Sequence, residues 1–362
     1  MPPGALSPFT CADLCDHRCR IGYSRARLQP DGFLQRTIML RAKPYTAASK
    51  REWDEFVATA KNGHFLFYRD YMDYHADRFP DASLMFYDAR DRLVGLLPAT
   101  VHDGVLSSHA GLSFGGVISG RGMKVELMLE LFATMCAWLR ERGIREIIYK
   151  PVPHIYHQIP AEEDLYALFR LGGRLIRRDV STAIDRDARL PFSKGRAWSL
   201  KQAAKSGLEV EECADFSAFM VIEEDLLQAK HDARPAHNAA ELAMLADRFP
   251  DNIRLFAARR GGEMLAGVVI YETAAVAHTQ YIGANDEGRK LGALDLICQY
   301  LLSERYVAKR YFDFGISNED NGLYLNSGLI RNKESYGARA TVFDRYSLDL
   351  SGPPDRQPGP AA

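Results

Sequence analysis

The sequence predicts a mixed α/β protein, an α+β mixed sheet with helices against it, built from two tandem copies of one module. Three observations predict this. The word Asp77-Arg78-Phe79-Pro80-Asp81 returns as Asp247-Arg248-Phe249-Pro250-Asp251. Each copy follows a helix-like stretch and precedes a strand-like run (Ser83 to Tyr87; Ile253 to Ala257), a charged turn and an apolar strand with an early glycine (Gly95; Gly267). Each then continues through a strand carrying a histidine (His109; His278) into a long amphipathic helix, ending in Arg140-Glu141-Arg142 and Ser303-Glu304-Arg305. Order of elements repeated around a repeated word is the signature of a duplicated unit.

The first module runs over 41–190, after an N-terminal extension, 1–40, rich in Pro, Gly, Arg and Cys and expected to be disordered or an over-long reading frame. Its opening helix spans Ser49 to Lys61, with Ser49 a candidate N-cap. A second helix covers Arg69 to Arg78 and stops before Pro80, because proline disfavours helix in the residue before it. Strands follow at 83–88, 92–101 and 104–109, then a glycine-rich turn from Gly111 to Gly116. The helix Lys124 to Arg142 has an apolar stripe at 127, 128, 131, 132, 135, 138 and 139. Strand Glu146 to Tyr149, helix Asp164 to Arg170 and strand Leu175 to Ile184 close the module, and a basic linker with a short helix occupies 185–208.

The second module, 191–350, repeats the plan: helices Asp215 to Lys230 and Ala239 to Arg248, strands 253–259, 263–273 and 275–283, helix Arg289 to Val307, and strand Arg310 to Gly315. A short helix near 321–329 and strand Thr341 to Leu350 end the fold, and prolines mark 351–362 as a disordered tail.

Composition narrows the function classes. A length of 362 residues suggests two domains of roughly 100–200 residues each. Lys and Arg number 46 against 47 Asp and Glu, a net charge of −1, so no bulk attraction to nucleic acid is expected. The chain has no apolar run of about 18 residues and no secretory signal, so no membrane span and a cytoplasmic location are expected. Cys136, Cys213 and Cys298 read as core thiols. Cys11, Cys15 and Cys19 flank His17, but their spacing fits no common metal site, nor does that of His231 and His237, so no metal is expected.

Several stretches concentrate chemistry. They are Tyr149-Lys150-Pro151-Val152-Pro153-His154-Ile155-Tyr156-His157, Lys230-His231 through His237, His278-Thr279-Gln280-Tyr281, Asp313-Phe314-Gly315-Ile316-Ser317, and Gly328 to Gly337 with Lys333-Glu334-Ser335-Tyr336-Gly337. With the module order, these resemble the GNAT acyltransferase fold. Two GNAT-like modules in one chain resemble the Fem-type peptidoglycan aminoacyltransferases and the acetyltransferases of bacterial exopolysaccharide clusters, over about residues 40–350.

The resemblance implies acyl transfer to an amine, with acetyl-CoA as co-substrate held by the second module. The thioester would lie where strands 275–283 and 310–315 part, with main-chain donors on the developing oxyanion. The pyrophosphate would sit at the next helix N-terminus, where Arg289-Lys290-Leu291-Gly292-Ala293-Leu294 matches the family pattern at Arg289 and Gly292 but departs at Leu294. Gln280 and Tyr281 are the other donor-binding candidates.

His278 is a candidate base, since imidazole titrates near neutrality, although a hydrogen-bonded core histidine is the simpler reading. Strand alternation places His278 and Gln280 on one face. Asp313, between two phenylalanines, needs a partner: His278, a substrate amine, or Lys333. Glu319 is a second candidate base in the polar turn after Asp313. Lys150, His154, Tyr156, His157, His231, His237, Ser317, Asn326 and Lys333 are candidate acceptor contacts.

The function expected is acetylation of an amino group on a small-molecule or lipid-linked sugar precursor in surface polysaccharide synthesis. Aminoacyl transfer from charged tRNA is the alternative, with Lys194, Arg196, Lys201 and Lys205 as its basic cluster. A non-catalytic glycan-binding subunit is the third.

Overall fold

The computed structural model describes residues 40–231 and 235–352. The cluster Cys11, Cys15, Cys19 and His17 and the C-terminal tail lie outside the described residues, as does the side chain of His231.

The first half contains β1 (Arg41–Pro44), α1 (Lys50–Thr59), α2 (Arg69–Met72), β2 (Leu84–Tyr87), β3 (Leu93–Leu97), β4 (Thr100–His102), β5 (Val105–Ser107), β6 (Ile118–Ser119), α3 (Val125–Arg140), β7 (Glu146–Tyr149), α4 (Glu163–Arg170) and β8 (Arg174–Asp185). The second contains α5 (Lys194–Ala203), β9 (Glu209–Cys213), α6 (Phe216–His231), α7 (Ala239–Arg248), β10 (Ile253–Arg260), β11 (Glu263–Glu272), β12 (Val276–Ala284), α8 (Asp286–Leu291), α9 (Ala293–Tyr300), β13 (Tyr311–Ile316), β14 (Asn318–Glu319), β15 (Tyr324–Leu325), α10 (Ser327–Glu334) and β16 (Arg339–Asp349). The class is mixed α/β.

The sequence explains most of these elements. In α3, Met128, Leu131, Phe132, Met135, Cys136 and Leu139 are buried, a stripe at helical spacing, each large side chain contributing about 1.5–3 kcal/mol. Helix α7 opens on a capping box between Asn238 and Glu241, which contributes about 1 kcal/mol, and stops before Pro250. Ser49 stands at the N-cap position of α1, but its side chain makes no cap bond. The helix expected over Arg69 to Arg78 is shorter, one α-turn followed by a 3-10 turn at Asp73–His75. Pro98 splits the strand expected over 92–101 into β3 and β4.

The helix expected over 289–307 is broken. Gly292 ends α8 with φ 72°, and a side chain there would meet Cβ of Ala203 at 3.0 Å. Asp295 fixes the break by accepting from Tyr336 (2.7 Å), Ser199 (2.5 Å) and Arg196. Strand β9 was not expected: Glu209-Val-Glu-Glu-Cys is a charged edge strand, and charge at a sheet edge hides the usual apolar alternation.

The sheets knit the halves together. One sheet has the order β1-β2-β3-β6, the other β4-β5-β7-β16-β8-β13-β12-β11-β10-β9. The last strand of each half crosses over: β8 pairs with β13, and β16 returns to pair with β7. An apolar core follows the same route, with Trp53, Phe65 and Phe67 of the first half in one cluster with Phe219, Leu255 and Tyr271 of the second. Tyr71 and Tyr271 share a hydrogen bond of 3.1 Å across the halves. No helix among the described residues is long and apolar enough to cross a membrane.

One core feature sets acid stability. His75 and His109 pack with ring centroids 5.3 Å apart, each 1% exposed. Both ring nitrogens of His75 and Nδ1 of His109 have no hydrogen-bond partner among the described residues. Burial pushes His75 down to about 4 and His109 to about 3. Unfolded histidine binds its proton near pH 6.5, so below that pH the unfolded state takes up protons that the folded state refuses. Stability therefore falls as pH drops from about 6.5 towards 4 and 3, at up to about 1.4 kcal/mol per pH unit for each histidine. Urea midpoints for His75→Leu should fall less steeply between pH 6.5 and 4 than those of the wild type; parallel curves would contradict this.

Candidate active site

Strands β12 and β13 are the parallel pair at the centre of the large sheet, and they part early. They are in register at Val276↔Tyr311, Ala277↔Phe312 and His278↔Asp313, and no pairing follows. Beyond the fork, β12 stays with β11 to Ala284, while β13 bends so that Ile316 meets Ser181 of β8. The bend is made at Gly315, φ 75°, where a Cβ would stand 3.3 Å from Cε1 of His278. Gly315→Ala should cost about 1–2 kcal/mol for the left-handed backbone and displace His278, so that activity drops by more than the stability loss accounts for. Urea midpoints and turnover measured together check this.

His278 and Asp313 close the fork. Asp313 is fully buried and accepts from His278 Nδ1 (2.9 Å) and Tyr156 (2.8 Å) on Oδ2, and from Ser181 (2.6 Å) and the Gly315 amide (3.0 Å) on Oδ1. Burial alone would raise its pKa; the His278 charge and these donors overcome burial and hold it below the usual carboxylate range. Burial raises the Tyr156 phenol, which stays a donor. With Asp313 ionised and accepting at Nδ1, His278 carries its hydrogen there and leaves Nε2 as the basic nitrogen. Three of the four donors come from different segments: β8, the loop after β7, and β12.

A cavity of about 610 Å³ opens at the fork, lined from both halves. Of the residues singled out from the sequence it brings together Lys150, Tyr156, His278, Gln280, Tyr281 and Lys333, with Asp313 directly behind. The expected alternation along β12 fails here. Ile270 pairs with Thr279 and Val269 with Tyr281, so Gln280 is an extra residue in a bulge, and Thr279, Gln280, Tyr281 and Ile282 all reach the cavity.

Lys333 is pinned by the carbonyls of Gly315 (2.8 Å) and Ile316 (2.7 Å) rather than paired with Asp313, and burial lowers it to about 8. Lys150 donates to the carbonyls of His109 (2.7 Å) and Leu112, clamping the glycine-rich turn, and burial lowers it to about 7.

The remaining candidates sit elsewhere. Glu319 accepts from Asn326 (2.8 Å), and Asn326 also caps α10 through the Leu329 amide, so each satisfies the other away from the cavity. Ser317 is buried, and its hydroxyl has no hydrogen-bond partner among the described residues. His154 lines a separate, smaller cavity with Tyr311 and Asp185. His157 bonds the Val152 carbonyl at 2.8 Å, and His237 bonds Tyr281 at 2.7 Å behind the cavity wall. Arg289 bonds the Ala284 carbonyl and Asp286, and Gly292 is the packed helix break described above.

The turn into α8 has Asn285 capping Gly288, with Asp286 and Glu287 in the first turn. Asp286 is paired with Arg289 and Glu287 with Arg260, so the arginines at this turn are already engaged and a pyrophosphate would have to displace the carboxylates from them.

Sequence reasoning passed over His64, Ser181, Arg177, Asp179 and Arg345. His64 lines the cavity and is kept neutral by burial and by the His278 charge, its pKa near 3. Arg177 and Asp179 alternate on β8, a period-2 signal that could have flagged them; nothing local marks Ser181.

Residues 195–321 match the model of the acetyltransferase (GNAT) domain. The fold is similar to that of FemX, with 12% identity and a TM-score of 0.59 over 84% of this chain and 96% of that one. It is also similar to L-PGS from Bacillus licheniformis, with 13% identity and a TM-score of 0.53 over 78% of this chain and 92% of that one. No curated protein matches the sequence. Residues 195–321 thus carry an acetyltransferase (GNAT) domain, and the fold of the chain as a whole is similar to that of FemX.

Proposed function

We propose that the protein is an N-acyltransferase that acetylates an amino group on a sugar precursor for surface polysaccharide, with acetyl-CoA as donor. The observation that carries this reading is the fork: a parallel pair that separates at His278↔Asp313, with a histidine held by a buried carboxylate facing the cavity. Past the fork the β12 edge facing β13 is unpaired, so main-chain groups there are available to a donor arm and to an oxyanion. Nε2 of His278 takes a proton from the substrate ammonium. The freed amine attacks the thioester carbonyl, and the tetrahedral intermediate collapses with loss of the thiolate. The thiolate takes the proton held by His278, and the second proton of the attacking nitrogen leaves to solvent, so that one proton is released per turnover. Gln280 and Asp179 on the cavity wall supply hydrogen-bonding groups suited to a hydroxyl-rich acceptor.

A second reading has one observation in its favour. Asp286 and Glu287 disfavour a pyrophosphate at the turn where coenzyme A would place it. An aminoacyl ester of tRNA needs no anion site at that turn, and Lys194, Lys201 and Lys205 around α5 would face the nucleic acid.

The test is titration calorimetry with acetyl-CoA, followed by mass-shift assays with labelled acetyl-CoA and amino-sugar nucleotides. Binding and label transfer are expected. Salt-dependent tRNA binding without acetyl-CoA binding would replace the first reading with the second.

A further inference from the structure

The crossed-over strands bring three cations together in the cavity. Arg345 on β16 is the cross-strand partner of Arg177 on β8. On the other side of β16, Tyr346 pairs with Tyr149, and Lys150 follows Tyr149 at the end of β7, beside Arg345. All three side chains line the cavity. Like charges directly opposite one another on neighbouring strands destabilise a sheet, and here three stand in a row.

The carboxylates nearby offset the row only in part: burial and Arg177 lower the Arg345 pKa, and the attraction of Asp179 does not cancel them. Asp179 accepts from Arg177 Nε at 2.8 Å, and Asp344 is held by both Nε and Nη2 of Arg178, at 2.7 and 2.8 Å. Arg345 makes no hydrogen bond or ion pair among the described residues, although it is half-buried. Tyrosines apart, Glu223, Lys333, His64 and His278 are the other charged or titratable groups of the cavity wall, and they add both signs. The mutual repulsion is visible in Lys150: after burial, Arg345 and Arg177 are the causes that lower its pKa.

We propose that Arg345, Arg177 and Lys150 form an anchor for a phosphate or pyrophosphate group carried by the acceptor. The planar guanidinium forks suit a phosphate oxygen pair, and an entering dianion turns repulsion between the cations into shared attraction. The inference rests on the transfer reading for the word acceptor, but the anchor itself needs no donor to be observed. It also divides labour in the cavity: amine chemistry at the His278 fork on β12 and β13, anion capture on β7, β16 and β8.

The full-length protein is titrated with inorganic pyrophosphate, UDP-glucosamine and dihexanoylphosphatidic acid at low salt. Pyrophosphate should bind, and Arg345→Gln and Arg177→Gln should each weaken it by about tenfold or more. Arg331→Gln, on the exposed face of α10, should leave it unchanged. Without ligand, Arg345→Gln should melt at a higher temperature than the wild type, because a repulsion has gone. Tighter binding of UDP-glucosamine identifies a soluble nucleotide sugar as the carrier of the group; tighter binding of the phosphatidic acid identifies a lipid headgroup. Wild-type affinity in both arginine variants, or no binding of any phosphate probe, overturns the anchor. Phosphate binding without acyl transfer overturns the proposed activity and keeps the anchor, whereas transfer with an unchanged acceptor KM in Arg345→Gln does the reverse.

Discussion

His278→Gln should lower kcat by about 10²–10⁴-fold, with the fold intact. Glutamine keeps a polar group against Asp313 but offers no basic nitrogen to accept a proton. The surrounding structure tolerates the change, since the His278 ring is the partly exposed member of the pair, at 16% against 0% for Asp313. Steady-state turnover, with urea midpoints as the control for folding, checks it. The loss should lie in kcat far more than in the donor KM, because the proposed donor site is main chain and the proposed proton acceptor is the His278 side chain. Unchanged turnover would assign His278 to structure alone and move proton transfer to another cavity group.

Asp313→Ala should destabilise the protein by about 3–5 kcal/mol and abolish activity as well. The carboxylate receives four hydrogen bonds in a place with no solvent. Its removal strands the Tyr156 and Ser181 hydroxyls, the Gly315 amide and His278, and each unsatisfied buried group costs about 1–3 kcal/mol. Asp313→Asn keeps the shape, so its stability loss should be smaller, yet an amide nitrogen facing His278 Nδ1 reverses the hydrogen bond that sets the tautomer. Comparable activity loss in both variants with unequal urea midpoints would separate the two roles. A nearly wild-type Asp313→Asn enzyme would show that ring orientation, not charge, is what Asp313 supplies.

Much of the fold was legible because local signals and tertiary packing agree. The repeated Phe-Pro-Asp word sits where each copy turns from helix to strand, and the stripe on α3 is the stripe that is buried. Partner choice between strands was not legible. The polar text of β8 and β16 specifies extended chain, but not that β8 lies against β13 and β16 against β7. That exchange is also why Ser181, Arg177 and Arg345 escaped notice: each enters the cavity on a crossed-over strand, far in sequence from the fork. His278 and Asp313 were legible because a carboxylate between phenylalanines requires a partner, and the parallel register supplies one. Glu319 and Asn326 misled for the opposite reason, since polar residues in a turn commonly satisfy one another. Arg289 and Gly292 matched a pattern in spacing, but the helix begins earlier than that spacing assumes, with Asn285 as its cap.

The central claim is that the parted strands hold the acyl donor beside His278. A crystal structure with a non-hydrolysable acetyl-CoA analogue tests it most directly. The claim predicts the acyl carbonyl between β12 and β13, accepting from β12 main-chain amides past His278, with imidazole Nε2 open towards the acceptor side. An analogue bound outside the fork, or a fork filled by Tyr281 and Phe314 in every saturated crystal, would contradict it.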